Sequence, residues 1–243
     1  MPGRTSIEGI AAVTGATSGI GYAITLALAK PGWRLVLIAR DAERLNSVAA
    51  HVEGRGAAAT PISLDLCAVD KLEEASANLR RSLPRLDVLV HAAGRFQQGT
   101  IEELTAGAVD ALFGTNVRAP WLLTRTLLPL LRATRGQVVV VNSSAVFTHP
   151  SRCGAYEITK AALQTFTNVL RAEVNADGVR VLSVFAGRTA TPMQEDIYRA
   201  EGRPYHPERM LQPDDIARAI VNALALPRTA ELTDLNIRPM MKA

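Results

Sequence analysis

The sequence predicts an α/β fold, in which one doubly wound parallel sheet of seven strands carries helices on both faces. Short apolar runs alternate along the chain with longer stretches of helical periodicity, which is the pattern of repeated βα units. Several of the runs are continuously hydrophobic, as in Val138–Val141, and this is typical of strands that are covered on both faces. At 243 residues and 48% hydrophobic composition, the chain is expected to form a single domain over residues 1–243.

The positions of the strands follow from the short apolar runs, and those of the helices follow from the stretches with helical spacing of apolar residues. The strands are predicted at Ile10–Thr14, Trp33–Ala39, Ala57–Leu64, Leu86–His91, Gln137–Asn142, Val179–Phe185 and Leu232–Ile237. The helices are predicted at Gly19–Lys30, Ala42–Val52, Val69–Leu83, Ala108–Thr134, Ala155–Ala176 and Pro213–Leu226. The least regular stretch is Pro192–Gln212, and its length predicts a lid over the substrate (residues 192–212) more readily than a simple connection.

Composition excludes several classes of function. The formal net charge is only +4, and no basic run is interleaved with aromatic residues, so nucleic acid is not an expected partner. Cys67 and Cys153 belong to no CxxC or His/Cys cluster, so neither a metal site nor a disulfide is expected, and a reducing cytoplasm fits. After Met1–Arg4, the apolar segment Ile10–Val13 is too short for a signal sequence or a membrane span, and no membrane association is expected.

A glycine-rich loop at residues 14–21 joins the first strand to the first helix. Gly15, Gly19 and Gly21 allow a tight turn and a close approach of the backbone to a pyrophosphate. The helix that follows supplies free amide donors and the positive end of its dipole. A turn without a ligand is the alternative, but the position of the loop in the first βα unit favours a dinucleotide site of the Rossmann type.

Arg40 stands at the end of the second predicted strand, nineteen residues after Gly21. Enzymes that use NAD usually place an acid there to bind the ribose 2′-hydroxyl, whereas an arginine can pair with the 2′-phosphate of NADP. The alternative is a surface arginine paired with Asp41 or Glu43. The sequence therefore favours NADP (NADPH) over NAD as the cofactor.

Tyr156 and Lys160 are four residues apart in a predicted helix, so their side chains share one face. A free tyrosine titrates near pH 10, and half-ionising it at pH 7 requires roughly 4 kcal/mol of stabilisation of the phenolate, to which an ammonium group can contribute. Tyr/Lys pairs at this spacing are common on helix surfaces, so the functional reading depends on other residues.

Two more polar residues supply that context. Ser143 follows an apolar strand at its carboxyl end, where doubly wound sheets bind ligands, and its hydroxyl can hydrogen-bond a substrate carbonyl. Ser144 competes for this role, although consecutive strand residues point to opposite faces and only one can serve. Asn116 lies in an apolar helical stretch and needs partners, so it either bonds neighbouring backbone or holds a water molecule.

In this order, the motifs resemble those of the short-chain dehydrogenase/reductase family over nearly the whole chain. Residues 14–21, TGATSGIG, are similar to its dinucleotide loop, and Leu64–Leu66 is similar to its adenine-contacting turn. Residues 91–94 stand where the family has Asn-Asn-Ala-Gly, and residues 186–191 resemble its Pro-Gly-x-x-x-Thr segment. Ala92 replaces the second Asn and Ala186 replaces the proline, which removes one structural hydrogen bond and a rigid turn residue.

The resemblance implies a catalytic tetrad of Asn116, Ser143, Tyr156 and Lys160. Tyr156 would exchange the proton, Ser143 would polarise the carbonyl, Lys160 would lower the pKa of Tyr156 and bind the ribose, and Asn116 would hold a relay water. The cofactor-binding residues would be Gly15, Thr17, Ser18, Gly19, Ile20, Gly21, Arg40, Asp65, Leu66, Ala92, Ala93, Gly94, Tyr156, Lys160, Thr189 and Thr191. No metal is implied.

The expected function is hydride transfer between NADP(H) and a small carbonyl or alcohol substrate. The resemblance also implies a homo-oligomer, a tetramer or dimer, formed through the helices Ala108–Thr134 and Ala155–Ala176, with Leu232–Met241 as a second interface. A dinucleotide-binding regulatory protein on the same fold is the alternative, but it would not need the full tetrad. An epimerase or dehydratase is a further alternative. Such enzymes usually carry an additional substrate domain, for which the chain has no room.

Three aromatic residues could border the substrate pocket. They are Phe96, Phe147 and Tyr198, and each fits packing in the core or under the lid as well as a position in the pocket wall.

Overall fold

A computed structural model describes residues 8–241, and the segment Met1–Arg4 lies outside that range. One parallel sheet has the strand order β3-β2-β1-β4-β5-β6-β7. The strands are β1 Gly9–Thr14, β2 Trp33–Ala39, β3 Ala58–Ser63, β4 Val88–His91, β5 Gln137–Ser143, β6 Arg180–Ala186 and β7 Asp234–Ile237. The helices are α1 Gly19–Leu28, α2 Ala42–Glu53, α3 Val69–Ser82, α4 Ala106–Phe113, α5 Ala119–Thr134, α6 Gly154–Val174, α7 Pro192–Ala200 and α8 Pro213–Leu224. The predicted seven-stranded doubly wound fold is confirmed.

The sheet separates two hydrophobic cores, and β1 shows how the sequence builds both. Ala11 and Val13 face the core that also contains buried residues of α1, α2 and α8. Ile10 and Ala12 face the other core, with α3, α5 and α6. Because successive strand residues point to opposite faces, a strand buried on both sides must be apolar throughout. This explains why the strands read as continuous hydrophobic runs.

The centre of the sheet determines where a ligand can bind. β1 pairs with β2 on one side and with β4 on the other, so the chain winds outward in two directions from this point. Loops after β1 and β4 therefore diverge, and they leave a crevice at the carboxyl ends of the strands. The residues that follow β1, β2, β4, β5 and β6 all border this crevice.

The segment predicted as one helix, Ala108–Thr134, is helical throughout, but the π-helical turn inside it was not predicted. The segment forms α4 and α5 separated by a π-helical turn, Gly114–Arg118, in which the Ala119 N–H donates to the Gly114 carbonyl five residues earlier. Pro120 has no N–H to donate to the carbonyl four residues before it, so the α-helical pattern cannot continue unchanged through this point. The turn contains Asn116, and π-helical turns are frequent at functional sites.

The stretch Pro192–Gln212 is more regular than the sequence indicated. It begins with α7, whose N-cap residue Thr191 accepts a hydrogen bond from the backbone N–H of Gln194 at 3.2 Å. Pro192 occupies the first turn, where its missing N–H costs nothing. The segment returns to the sheet at Leu211, which bridges to Thr189. Its role as a lid stays a prediction.

β3 forms one outer edge of the sheet and differs from the central strands. It pairs with β2 alone, and its residues are exposed or half-buried instead of being buried throughout. Pro61 lies in the middle of this strand, opposite Leu37. Proline cannot donate to a sheet ladder and is tolerated at an edge.

Candidate active site

An open cleft of about 1230 Å³ runs along the carboxyl ends of the strands. Every residue that the sequence analysis assigned to cofactor binding lines it, from Arg40 and Asp65 on the β2/β3 side to Thr189 and Thr191 on the β6 side. Ser143, Tyr156 and Lys160 line it as well. Asn116 does not line the cleft and lies behind it.

The glycine-rich loop after β1 permits only glycine at its key positions. A Cβ atom on Gly21 would lie 2.2 Å from the carbonyl oxygen of Gly15. Gly15 itself has φ +70°, and a Cβ there would lie 2.8 Å from the backbone of Ala93. The loop therefore packs directly against the segment after β4, and it leads into the N-terminus of α1. This arrangement fits a pyrophosphate, which needs close backbone approach and unpaired N–H donors.

Thr14 joins the loop after β1 to the loop after β4. Its hydroxyl oxygen accepts hydrogen bonds from the backbone N–H groups of Ala92 and Ala93, each at 3.2 Å, and donates to the carbonyl of Val90 at 3.3 Å. These bonds use the donor and both acceptor sites of the hydroxyl. Thr14 thus tethers the segment in which Ala92 replaces an asparagine of the family motif.

Arg40 is exposed and lies one residue after the end of β2, which terminates at Ala39. Asp41 is the N-cap residue of α2, where it accepts from the Arg44 backbone N–H at 3.0 Å and pairs with the Arg44 guanidinium at 3.3 Å. In the described part of the chain, Asp41 is thus an ion-pair partner of Arg44 and not of Arg40. Arg44 also lines the cleft. Arg44 was not predicted as a site residue, although its position three residues after a capping acid was a usable signal.

The three catalytic candidates lie together where β5 meets α6. The Lys160 ammonium nitrogen is 5.7 Å from the centre of the Tyr156 ring, so the two side chains share a helix face as predicted. Lys160 is 4% exposed and donates to the carbonyl of Val141 at 2.9 Å. The Ser143 hydroxyl lies on the same side of the cleft as the Tyr156 phenol and acts to lower its pKa. It also accepts from the Ala145 backbone N–H at 3.2 Å.

Asn142 fixes this arrangement and was not singled out from the sequence. Its side-chain amide donates to the carbonyl of Lys160 at 3.1 Å, and its side-chain oxygen accepts from the backbone N–H of Ser143 at 2.8 Å. One buried side chain therefore sets the position of α6 relative to the end of β5. A polar residue ending an apolar strand was the signal available in the sequence.

Burial is the largest influence on the pKa values of Tyr156 and Lys160. It raises the pKa of Tyr156 to about 12, while the Ser143 side chain acts in the opposite direction. It lowers the pKa of Lys160 to about 8. Removal from water disfavours the charged form of each group. The protein alone therefore holds Tyr156 as a protonated phenol, whereas the family resemblance implied that Lys160 lowers the pKa of Tyr156.

Asn116 bonds neighbouring protein groups, which was the first of the two alternatives. Its amide nitrogen donates to the carbonyl of Arg95 and to the Thr159 hydroxyl, each at 2.9 Å, and its oxygen accepts from the Arg95 backbone N–H at 2.8 Å. The Thr159 hydroxyl in turn donates to the carbonyl of Tyr156 at 2.6 Å. Both amide hydrogens of Asn116 are thus used within the protein. The side chain joins the loop after β4 to the second turn of α6.

Aromatic residues border the cleft beyond Ser143. The ring of Phe96 packs edge-on against Tyr156, with ring centres 5.1 Å apart. Tyr198 also lines the cleft, whereas Phe147 packs against Phe185 with ring centres 4.9 Å apart. Of the three aromatic residues considered in the sequence, Phe96 and Tyr198 form part of the wall.

Two classes of site are not found in the described part of the chain. Among residues 8–241, no group of three or more His, Cys, Asp or Glu side chains is arranged to hold a metal ion. None of the helices formed by these residues is long and apolar enough to cross a membrane.

Residues 9–202 match the family model described as short chain dehydrogenase. The chain is 31% identical over 235 residues to an uncharacterized short-chain type dehydrogenase/reductase of Sinorhizobium fredii, covering 95% of this chain and 91% of the relative. An alcohol dehydrogenase from the archaeon Thermococcus sibiricus, complexed with 5-hydroxy-NADP, superposes with a TM-score of 0.85 at 28% identity, covering 97% and 98% of the two chains. L-sorbose reductase from Gluconobacter frateurii, complexed with NADPH and L-sorbose, gives a TM-score of 0.85 at 26% identity and covers 98% of each chain.

Proposed function

The chain belongs to the short-chain dehydrogenase family, and from that premise we propose that it transfers a hydride between NADP(H) and a carbonyl or alcohol substrate. One observation carries the proposal. Ser143, Tyr156 and Lys160 converge on the same cleft as the glycine-rich loop. A dinucleotide site without chemistry would not need a half-buried phenol, a half-buried hydroxyl and a buried ammonium grouped beside it.

The proposed cofactor is NADP, as in several similar structures that contain NADP or NADPH. The loop 14–21 would bind the pyrophosphate, and Asp65 and Leu66 would border the adenine. Arg40 would pair with the 2′-phosphate, and its neighbour Asp41 is already engaged by Arg44. At the other end, the segment 92–94 and residues Thr189 and Thr191 would hold the nicotinamide. When bound, NADPH supplies the hydride.

The chain supplies the proton and the polarising hydrogen bonds. In reduction, the Tyr156 hydroxyl donates its proton to the substrate oxygen, and the Ser143 hydroxyl donates a hydrogen bond to the same oxygen. A phenol that burial keeps protonated is suited to this direction. In oxidation the Tyr156 oxygen accepts the proton, and the Lys160 ammonium favours the phenolate that precedes it. Asn116 acts through Arg95 and Thr159 as a positioning residue.

The test compares Tyr156→Phe with Tyr22→Phe, whose phenol bonds His51 away from the cleft at 3.1 Å. NADPH oxidation is followed with a panel of aldehydes and ketones. Tyr156→Phe should lower kcat by at least about 10³-fold while the Kd for NADPH stays within about threefold, because proton donation is lost and binding is not. Normal turnover by Tyr156→Phe would contradict the mechanism. NADPH binding without turnover of any carbonyl compound would favour the regulatory alternative.

We further propose a homo-oligomer, a dimer or tetramer, formed through the outer faces of α5 and α6. Trp121, Ile158 and Val169 are 53%, 57% and 46% exposed on these helices, and a second chain packed on these faces would cover them. Light scattering should give the molar mass of a dimer or tetramer, and the Trp121→Arg variant should have a molar mass closer to that of the monomer. A monomer at micromolar concentration would contradict this proposal.

Two further proposals concern the lid and the compartment. Residues 192–212 would close over the substrate, since Met193 and Ile197 of α7 line the cleft. The cytoplasm is the proposed compartment, because Cys67 and Cys153 are both free thiols.

A further inference from the structure

The end of α7 brings two charged side chains to the substrate end of the cleft, the part beside Tyr156. α7 stops at a left-handed turn, in which Gly202 has φ +64°. The Gly202 backbone N–H donates to the Arg199 carbonyl at 3.2 Å, and the next N–H, that of Arg203, donates to the carbonyl five residues earlier at 3.0 Å. Glycine adopts this conformation without strain, and the two bonds satisfy carbonyls at the helix end. Glu201 and Arg203, on either side of the glycine, both line the cleft.

Glu201 joins this turn to the loop after β4. Its Oε1 atom accepts from the side-chain amide of Gln98 at 3.1 Å, and its Oε2 atom accepts from Nη1 of Arg203 at 2.9 Å. Gln98 and Glu201 are 103 residues apart in the chain, so their bond connects two separate loops. Both oxygens of the carboxylate are used in these contacts. Gln98, Glu201 and Arg203 together are called the Glu201 bridge below.

Tyr198 supports the bridge from α7. The guanidinium carbon of Arg203 is 4.6 Å from the centre of the Tyr198 ring. Tyr198 is only 3% exposed, and its hydroxyl accepts from Nη1 of Arg188 at 3.2 Å. An aromatic face attracts a guanidinium and limits its orientations. Arg203 is therefore held in a position from which it donates to Glu201.

The other side of the bridge is held by the loop after β5. The backbone N–H of Gly99 donates to the Arg152 carbonyl at 2.8 Å. The guanidinium of Arg152 pairs with Glu103 at 2.8 Å, which lies further along the loop after β4. Gln98 precedes Gly99 directly, so its backbone is fixed where its side chain meets Glu201. The loops that follow β4, β5 and α7 are thus connected to one another.

The bridge lies close to the reacting groups. Phe96, two residues before Gln98, packs edge-on against Tyr156 with ring centres 5.1 Å apart. Burial, and after it the charge of Glu201, raises the pKa of the Cys153 thiol. Cys153 lines the cleft three residues before Tyr156. The space in front of the Tyr156 hydroxyl is therefore bounded by the bridge.

We propose that Glu201 is a specificity-determining residue, which closes the substrate end of the cleft through Gln98 and Arg203 and limits the carbonyl substrates to small ones. The inference rests on the proposed function and adds to it the substrate class, aldehydes and ketones whose substituents fit inside the bridge. A bulky substituent meets the side chains of the bridge, so that its binding requires the bonds of Glu201 to break. Because the bound substrate must supply the free energy for this, kcat/KM falls for bulky substrates.

The test compares methyl ketones whose second substituent is ethyl, benzyl or naphthylmethyl, so that a CH2 group stands beside the carbonyl in each. Specificity is measured as the kcat/KM for the naphthylmethyl ketone divided by that for the ethyl ketone, with NADPH as the reductant. This ratio should be about one tenth or less in the wild-type protein, and the benzyl ketone should lie between the two.

Variants on both sides of the bridge should change this ratio. Glu201→Ala removes the bridge and should raise the ratio by about tenfold or more, and Gln98→Ala should raise it in the same direction. Glu201→Gln keeps the size of the side chain and an oxygen that can accept from Gln98, so it should retain most of the wild-type ratio.

The matched control is Glu195→Ala on the same helix. The Glu195 carboxylate pairs with Arg199 at 3.2 Å, and Glu195 is not among the described residues that line the cleft. The ratio in this variant should stay within about twofold of the wild-type value.

Other results overturn the inference in distinguishable ways. If Glu201→Ala and Gln98→Ala both leave the ratio unchanged, or if the wild-type protein reduces all three ketones equally well, the bridge does not limit substrate size and the proposed function stands. If Glu195→Ala raises the ratio as much as Glu201→Ala does, a general loosening of α7 accounts for the change and Glu201 does not set the specificity. If the wild-type protein reduces no ketone or aldehyde, the proposed function fails and the inference fails with it.

Discussion

The ammonium nitrogen of Lys160 lies 5.7 Å from the centre of the Tyr156 ring and donates to the carbonyl of Val141 at 2.9 Å. Burial acts on the two groups in opposite ways, since it lowers the pKa of Lys160 to about 8 and raises that of Tyr156 to about 12. Near neutral pH both are protonated. The site therefore holds one cation and one neutral acid side by side.

The first prediction concerns the alkaline pH limit of reduction. As the pH rises, Lys160 loses its charge near pH 8, well before Tyr156 loses its proton. The kcat/KM for NADPH, which reports ionisations of the free enzyme, should fall above about pH 8. Lys160→Arg, whose guanidinium stays charged, should move this limit upward by more than about one pH unit, whatever its absolute rate. An unchanged limit in the variant would assign the ionisation to another group.

The second prediction concerns the choice of cofactor. Arg40→Gln should lower the preference for NADPH over NADH, expressed as a ratio of kcat/KM values, by about 10- to 100-fold, since the charged partner of the 2′-phosphate is lost. Arg34→Gln, near the other end of β2, is the control and should not change the ratio. Equal use of NADH and NADPH by the wild-type protein would refute the role given to Arg40.

A third prediction separates close packing from helix propensity. Gly21→Ala places a methyl group 2.2 Å from the Gly15 carbonyl oxygen, and it should lower the free energy of unfolding by about 2 kcal/mol or more and weaken NADPH binding. Gly107→Ala on α4 meets nothing within 4 Å and should stabilise by about 0.5 kcal/mol or more, as alanine does within helices. Chemical denaturation measures both. Equal effects of the two changes would show that the loop tolerates a side chain.

The fourth prediction concerns acid stability and His91. Burial lowers its pKa to about 3, and its Nε2 pairs with the Thr124 hydroxyl at 2.8 Å. Below its ordinary pKa of 6.5, the unfolded chain binds a proton that the folded chain does not. Stability from this residue is therefore complete above pH 6.5 and is lost as the pH falls toward 3, by about 1.4 kcal/mol per pH unit.

His91→Asn should remove this slope between about pH 6 and pH 4.5 in urea titrations. The control is His51→Asn on α2, whose ring bonds Tyr22 at the surface, and it should follow the wild-type curve. If the free energy of unfolding of His91→Asn falls with pH as steeply as that of the wild-type protein, other groups determine the loss of stability in acid.

The sequence predicted the elements that hydrophobic periodicity defines. β5 could be predicted from its own residues. Both faces of the sheet are covered by helices, so the strand is a continuous apolar run. The π-helical turn between α4 and α5 was not predicted because apolar residues continue on both sides of it, although Pro120 marked the change. α7 was missed because it is short and polar, and the prolines after it obscured the capping signal of Thr191.

Site residues could be predicted where a single segment of the chain contains both the functional groups and the spacing that positions them. The loop 14–21 and the Tyr156–Lys160 pair are of this kind. The partners of Asn116 were not predictable, since they depend on how the loop at Arg95 meets α6. Likewise, nothing local connects Arg188 with Tyr198, whose contact exists only because α7 folds back along the cleft.

Pro61 in β3 has a consequence for the growing chain. The unit from β1 to β3 leaves the ribosome before β4 exists, so a partial sheet is exposed while synthesis continues. On the β3 side, the proline withholds a main-chain donor from any foreign strand, and edges of this kind resist aggregation. On the β1 side, the edge stays open until β4 arrives to pair with it. Pairing with β4 thus covers the edge of β1 that the unit from β1 to β3 leaves exposed.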